Sequence, residues 1–219
     1  MIETIFVPRG AEADAVRFAK ARAGSNVRVV ETGIGPLAAR QAADEARGTA
    51  PVGTALVTGL CGLLSPAFAV GETLVYREVR RDGAPTLALD RALGDALAAK
   101  LPGAQTGIRA FASDRIVESP AAKHELARRT ETDAVDMESY ALAEVLQREG
   151  VAVAVVRVGS DGVDDALPEL DRSLDGSGGM DGVALALAML RHPVAGARLA
   201  INGLRALGAL RRSVEALLR

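Results

Sequence analysis

The sequence predicts an α/β domain of three layers, with helices on both faces of one sheet, followed by a helical C-terminal tail. Two observations lead there. Short apolar runs alternate with stretches of helical period along the first 160 residues, the pattern that strands and helices leave when they take turns. Glycine or proline marks most of the junctions between them. Ile2–Val7 is an apolar run and reads as a buried strand. Ala11–Ala23 has helical spacing at Val16 and Ala19 and stops at Gly24, and Asn26–Glu31 is a second strand. Pro36–Arg47 is an alanine-rich helix with proline at its N-terminus, where the missing N–H costs nothing. Thr54–Thr58 is a third strand. Thr73–Val79 alternates apolar and charged residues, as a half-exposed strand does. Leu89–Leu101 is a helix ended by Pro102-Gly103, and a strand near Thr106–Ala112 follows. Helices are expected at Pro120–Thr130 and Glu138–Glu149. Val151–Val158 is apolar except for Arg157, so both its faces should be covered. Asp171–Gly182 reads as a flexible, glycine-rich loop, which divides the chain into a domain over residues 1–182 and a tail over 183–219.

Composition removes several function classes. At 219 residues the chain buries roughly 70% of its unfolded surface, and 49% hydrophobic content is too high for disorder. A net charge of −2 and 3% aromatics give no field or stacking platform for nucleic acid. One cysteine, Cys61, and two separated histidines, His124 and His192, leave no disulfide framework and no multi-ligand metal site. No metal or organic cofactor is expected. Only three of the 26 basic residues are lysine, and this arginine richness reads as background composition. The N-terminus has neither a basic head nor a cleavage site, so a cytoplasmic protein is expected.

Four places carry candidate chemistry. Gly33-Ile34-Gly35-Pro36-Leu37-Ala38 is a G-x-G-x-x-A turn between strand and helix, which can present N–H groups to an anion or a sugar. No carboxylate ends the next strand, so a dinucleotide reading is weak, and a plain tight turn explains the motif as well. Thr58-Gly59-Leu60-Cys61-Gly62 lets backbone approach a flat ligand, or is a turn. Glu138 and Asp161 each stand where a strand-like run gives way to the next element, the position that lines the crevice of an open α/β sheet. Glu138 also suits a helix N-terminus and Asp161 a turn. Glu12 follows the first strand and can equally be a solvated first-turn residue. Together, three carboxylates after three strands have the layout of an acid–base site spread over several loops.

The order of these motifs resembles the nucleoside phosphorylase/nucleosidase superfamily, in particular its methylthioadenosine/S-adenosylhomocysteine nucleosidase and futalosine hydrolase branch. The resemblance runs from Ile2 to about Pro168 and rests on Thr32-Gly33-Ile34-Gly35, Thr58-Gly59-Leu60-Cys61-Gly62-Leu63, Gly71-Glu72, Val135-Asp136-Met137-Glu138 and Arg157-Val158-Gly159-Ser160-Asp161. It implies a mixed, largely parallel twisted sheet, a homodimer and cleavage of an N-ribosidic bond that releases adenine. Ala112–Val117, Val135-Asp136-Met137-Glu138-Ser139 and the Leu167-Pro168 segment with its long tail look like hopanoid-associated members that act on adenosylhopane. The implied roles follow residue by residue. Asp161 is the general acid at purine N7, with Ser160 positioning it. Glu138 accepts from the ribose hydroxyls, and Met137 packs on the ribose. Glu12 orients or deprotonates water. Val117 reads the adenine edge, Gly59 and Leu60 lie along the base or sugar, and Gly35 belongs to the first glycine turn.

Three departures bear on specificity. Phosphate-using members place an arginine before the second glycine motif and a serine or threonine within it. Val57 and Leu60 stand there, and neither side chain binds an anion, so water is the expected nucleophile. Ile116 replaces an aromatic that often stacks on the base. The alternatives are a phosphorylase on the same scaffold and a non-catalytic nucleoside-binding or peripheral membrane protein. In the tail, Arg191, Arg198, Arg205, Arg212 and Arg219 recur every seven residues with leucines between them. Such a helix packs on its own domain or a second subunit with arginines solvated, or lies on an anionic membrane surface. Gly203 and Gly208 argue against one long helix.

Overall fold

A computed structural model describes residues 2–170, 179 and 182–219. The run of β-branched and aromatic residues at Thr4–Pro8 forms β1, buried along its whole length between two parallel neighbours, β2 (Arg28–Thr32) and β3 (Thr54–Leu63). Helix α1 (Ala11–Ala23) opens after Gly10 and closes at Gly24, whose φ of 62° is left-handed. Helix α2 (Pro36–Thr49) begins with its proline at the first turn and turns Ala39, Ala42, Ala43 and Ala46 inward.

The remaining elements are β4 (Thr73–Arg80), β5 (Leu87–Ala88), α3 (Arg91–Ala99), β6 (Gln105–Ala112), α4 (Pro120–Thr130), β7 (Ala134–Asp136), α5 (Ser139–Arg148), β8 (Ala152–Asp161), α6 (Gly182–Arg191) and α7 (Pro193–Leu218). The eight strands form one mixed sheet, with parallel pairs outnumbering antiparallel ones. β3 lies parallel to β8 along nine paired positions and then passes on to pair β7 antiparallel at Gly62 and Leu63. Because β8 also pairs β4, β4 pairs β6 and β6 pairs β7, the strands β3, β8, β4, β6 and β7 close into a ring.

Side-chain alternation builds two cores. Phe6, Val57, Val153 and Val155 face α2 and α5, while Ile5, Val7, Leu56, Ala154 and Val156 face α1, α3 and α7. That is the period of two a strand imposes. Helix α7 completes the second core with Ala206, Ala209, Leu210, Val214 and Leu217, one helical face. It is tied to β4 by a 2.8 Å hydrogen bond between Ser213 and Thr73 hydroxyls.

Several expectations change. The third strand does not stop at Thr58 but runs through the glycine motif to Leu63, because β8 continues beside it to Asp161. Ring closure sets β4 between β6 and β8, with Leu74, Val75, Tyr76 and Val79 buried and Arg77 exposed. The short β5 was not anticipated, and α3 begins at Arg91 because Asp90 caps it by accepting from the Leu93 N–H. The tail breaks at His192 into two helices, and α7 runs unbroken through Gly203 and Gly208, held by packing that outweighs their low propensity. The loop expected at Asp171–Gly182 falls almost wholly outside the described residues.

Leu210 is fully buried between α1 and the sheet. L210A is expected to cost about 2–5 kcal/mol, read as a lower urea midpoint with an unchanged slope.

Candidate active site

The C-terminal ends of β1, β3, β7 and β8 converge on one cavity of about 240 Å³. Glu12, Glu138 and Asp161, more than 100 residues apart at the extremes, all line it. So do Leu60, Ile116, Val117, Met137 and Ser160. The other two predicted positions pack just behind the wall.

Gly59 shows why. Its φ is 142°, and a β-carbon there would stand 2.3 Å from Glu12 Oε2 and 2.6 Å from Arg157 Nη1. Glycine is therefore required on both conformational and steric grounds. Gly35, with φ 94°, donates its N–H to Glu138 Oε1 at 2.9 Å. The anion faced by the first glycine turn is thus the protein's own carboxylate.

The residue that organises the cavity is Arg157, the one charge in the apolar run Val151–Val158. It is fully buried. Nη2 donates to Glu138 Oε2 at 3.2 Å, Nη1 to the Leu60 carbonyl at 3.3 Å, and Nε stands 3.5 Å from Asp136 Oδ2. Burial disfavours its charge, but Asp136 and Glu138 more than offset this, and its pKa rises. Sequence reasoning gave Arg157 no role. Its signal was an arginine inside a run that otherwise reads as buried strand.

Asp136 frees Glu138 from the capping role expected of it. Its Oδ1 accepts from the N–H groups of Glu138 and Ser139 and from the Ser139 hydroxyl, closing the N-terminus of α5. The Glu138 side chain makes no cap and points to Gly35 and Arg157 instead. Glu12 is held by the Leu60 N–H, which donates to its Oε2 at 2.7 Å.

One buried guanidinium thus faces three carboxylates, Asp136, Glu138 and Glu12. Burial is the largest influence on Glu12 and pushes its pKa up to about 7; Arg157 pulls it down and Glu138 pushes it up again. Burial likewise raises the pKa of Glu138, against the pull of Arg157. A carboxyl poised near neutrality is suited to taking a proton from water.

Asp161 ends β8 beside Gly62. Its Oδ1 lies 2.7 Å from the Ser160 hydroxyl and its Oδ2 2.5 Å from Lys123 Nζ. Lys123, on α4, was not singled out by the sequence. The outer wall is apolar, made by Ile116, Leu167, Leu170 and Leu199, the last from α7. A larger opening near Arg47, Pro51 and Glu149 lies elsewhere on the surface and gathers none of these groups. Among the described residues, no three His, Cys, Asp or Glu side chains are placed to hold a metal ion.

A sequence profile described as the phosphorylase superfamily matches residues 4–195. A search of curated proteins by sequence found no match. Solved structures do match in fold. The 5′-methylthioadenosine/S-adenosylhomocysteine nucleosidase of Neisseria meningitidis, in complex with methylthio-immucillin-A, superposes with a TM-score of 0.72 at 16% identity, covering 99% of this chain and 98% of that one. The Helicobacter pylori nucleosidase with 5′-methylthioadenosine in its active site gives 0.68 at 16% identity and 96% coverage of both. Futalosine hydrolase of H. pylori gives 0.66 at 15% identity, covering 94% of this chain and 96% of that one. The chain belongs to the phosphorylase superfamily, on the fold those nucleosidases share.

Proposed function

We propose that the protein is a nucleosidase that uses water to cleave the N-ribosidic bond of an adenosine-containing compound and release adenine. The observation that carries this reading is the convergence of Glu12, Glu138 and Asp161 on one cavity around Arg157. Cleavage leaves electrons on the departing purine and positive charge on the sugar. Asp161 stands as the acid that meets purine N7, with Ser160 holding its carboxyl. Glu138 takes the ribose hydroxyls, and a carboxylate there favours the cationic transition state over the neutral substrate. Met137 packs on the ribose, Val117 presents backbone to the adenine edge, and Leu60 lies along the base. Glu12 accepts the proton of the attacking water.

The charge balance supports water over phosphate. Of the cavity-lining groups, Glu12, Asp136, Glu138 and Asp161 are acidic, while the cations are Arg157, already committed to two of them, and Arg115. A phosphate dianion would enter a field of its own sign. The apolar wall of Ile116, Leu167, Leu170 and Leu199 supports a nucleoside with an apolar 5′ substituent, and adenosylhopane of hopanoid biosynthesis is the specific substrate this reading favours.

The tail fits the same substrate class. Leu190, Val194, Ile201 and Leu204 are each more than two-thirds exposed and lie among Arg191, Arg198 and Arg205. Residues 183–219 hold six arginines against one acid, Glu215. Apolar residues among cations suit an anionic lipid surface, and Leu199 and Gly203 of the same segment line the cavity. No helix among the described residues is long and apolar enough to cross a membrane.

Three measurements test this. Methylthioadenosine, S-adenosylhomocysteine, futalosine and adenosylhopane, each incubated with and without phosphate, are scored for free base by chromatography. Base is expected from an adenine nucleoside without phosphate, most readily from the one with the largest apolar substituent. Release only with phosphate identifies a phosphorylase, and binding without release a non-catalytic binder. In the pH profile of kcat/KM, the rate should rise about tenfold per unit below about 7 and level off above it, as Glu12 ionises; E12Q should lose about 10²-fold or more. In flotation assays the protein should rise with phosphatidylglycerol vesicles and not with phosphatidylcholine, and the I201S/L204S double variant with neither. Wild-type protein that stays down with both refutes the membrane contact.

A further inference from the structure

Lys123 is a buried cation that the reading above does not use. Its side chain is fully enclosed, and Nζ lies 2.5 Å from Asp161 Oδ2, 2.8 Å from the Gly162 carbonyl and 2.9 Å from the Asp165 carbonyl. An ammonium has three hydrogens, and here they have three acceptors. With the ion pair formed, the Asp161 carboxylate holds no proton of its own. The proton on the line between the two groups belongs to Lys123.

That proton has two fully bonded places to sit. On nitrogen, all three lysine hydrogens are used and Asp161 Oδ1 accepts from the Ser160 hydroxyl at 2.7 Å. Moved to Oδ2, it leaves an amine with two hydrogens for the two carbonyls and a lone pair for the carboxylic acid. Ser160 need not move, since Asp161 Oδ1, now the carbonyl oxygen of the acid, still accepts its hydrogen. Neither state leaves a buried polar group stranded.

The choice of side chain agrees with this. The chain has three lysines among 26 basic residues, yet the cation beside Asp161 is a lysine and the cation beside Glu138 is an arginine. Arginine keeps its proton in a protein; lysine can release one.

We propose that Lys123 stores the proton that Asp161 delivers to the departing base. This rests on the nucleosidase reading of the site. In the step, the Nζ–H bond breaks as an O–H bond forms on Asp161. The carboxyl passes a proton to purine N7 while the N-ribosidic electron pair moves onto the base. Water adds to the sugar carbon and gives its proton to Glu12, and Lys123 recovers a proton from solvent as products leave. Lys123 acts through Asp161 and is a positioning residue.

The test compares two leaving groups on one sugar. Adenine needs protonation to depart; 4-nitrophenolate leaves as a stable anion. K123M is expected to lose about 10²-fold or more in kcat for adenine and less than about threefold for 4-nitrophenolate, with KM little changed. K123R, which keeps the charge but not the releasable proton, should behave in the same way, and nitrophenolate turnover reports that each variant is folded. Equal losses on both leaving groups, or no loss on either, overturns the proposal and leaves the nucleosidase reading intact. If the wild type releases no base, both fall.

Discussion

A guanidinium enclosed by protein is expensive unless its partners are fixed, and Arg157 shows what fixing them entails. Its three nitrogens face Asp136, Glu138 and the Leu60 carbonyl, so β8, β3 and the β7–α5 junction meet at one charge. Such pairs stabilise less than their Coulomb energy suggests, because both ions give up water. Breaking one by removing a single partner is another matter, since it strands the rest. Here removal would leave Asp136, Glu138 and Glu12 facing each other without the buried cation between them. Arg157 is therefore what lets several acids share a cavity. The elevated proton affinity of Glu12 comes first from its burial, and Arg157 offsets only part of it.

The site divides its electrostatic work between two buried cations. Arg157 keeps a constant charge and sets the field in which Glu12 and Glu138 titrate. Lys123 sits behind Asp161, outside the cavity, where proximity to carbonyls and a carboxylate can shift a proton without shifting an atom far. Ser160 joins the two halves through its contacts to Cys61 on β3 and Asp161 on β8. The strand pair β3–β8 thus carries Arg157, Ser160 and Asp161 beside the Leu60 and Cys61 carbonyls on adjacent backbones.

Much of this was legible in the residues. Apolar runs such as Ile2–Val7 and Val151–Val158 declared their strands, and Gly24, Pro36 and Pro102-Gly103 declared junctions, because these depend on local propensity. Glu12, Glu138 and Asp161 could be picked out because each follows a strand, and parallel strands deliver their C-terminal ends to one edge. What escaped was set by long-range pairing. Thr54–Thr58 looked complete as a strand, since nothing local says that β8 will accompany it to Leu63. Nothing in the alternation of β4 says that it pairs β6 on one side and β8 on the other, because ring closure leaves no local trace. Lys123 looked like an ordinary helix residue; its partner lies 38 positions away, and only the packing of α4 against the end of β8 brings them together.

One segment belongs to two cooperative units at once. The later turns of α7 are anchored in the core through Leu210 and Val214, while Leu199 and Gly203, two to three turns earlier, line the cavity. Ligand contacts there add to the free energy that holds the whole helix down, and by linkage any molecule that binds only the docked form stabilises it. An occupied cavity should therefore slow amide exchange far along α7, through turns that never touch the ligand.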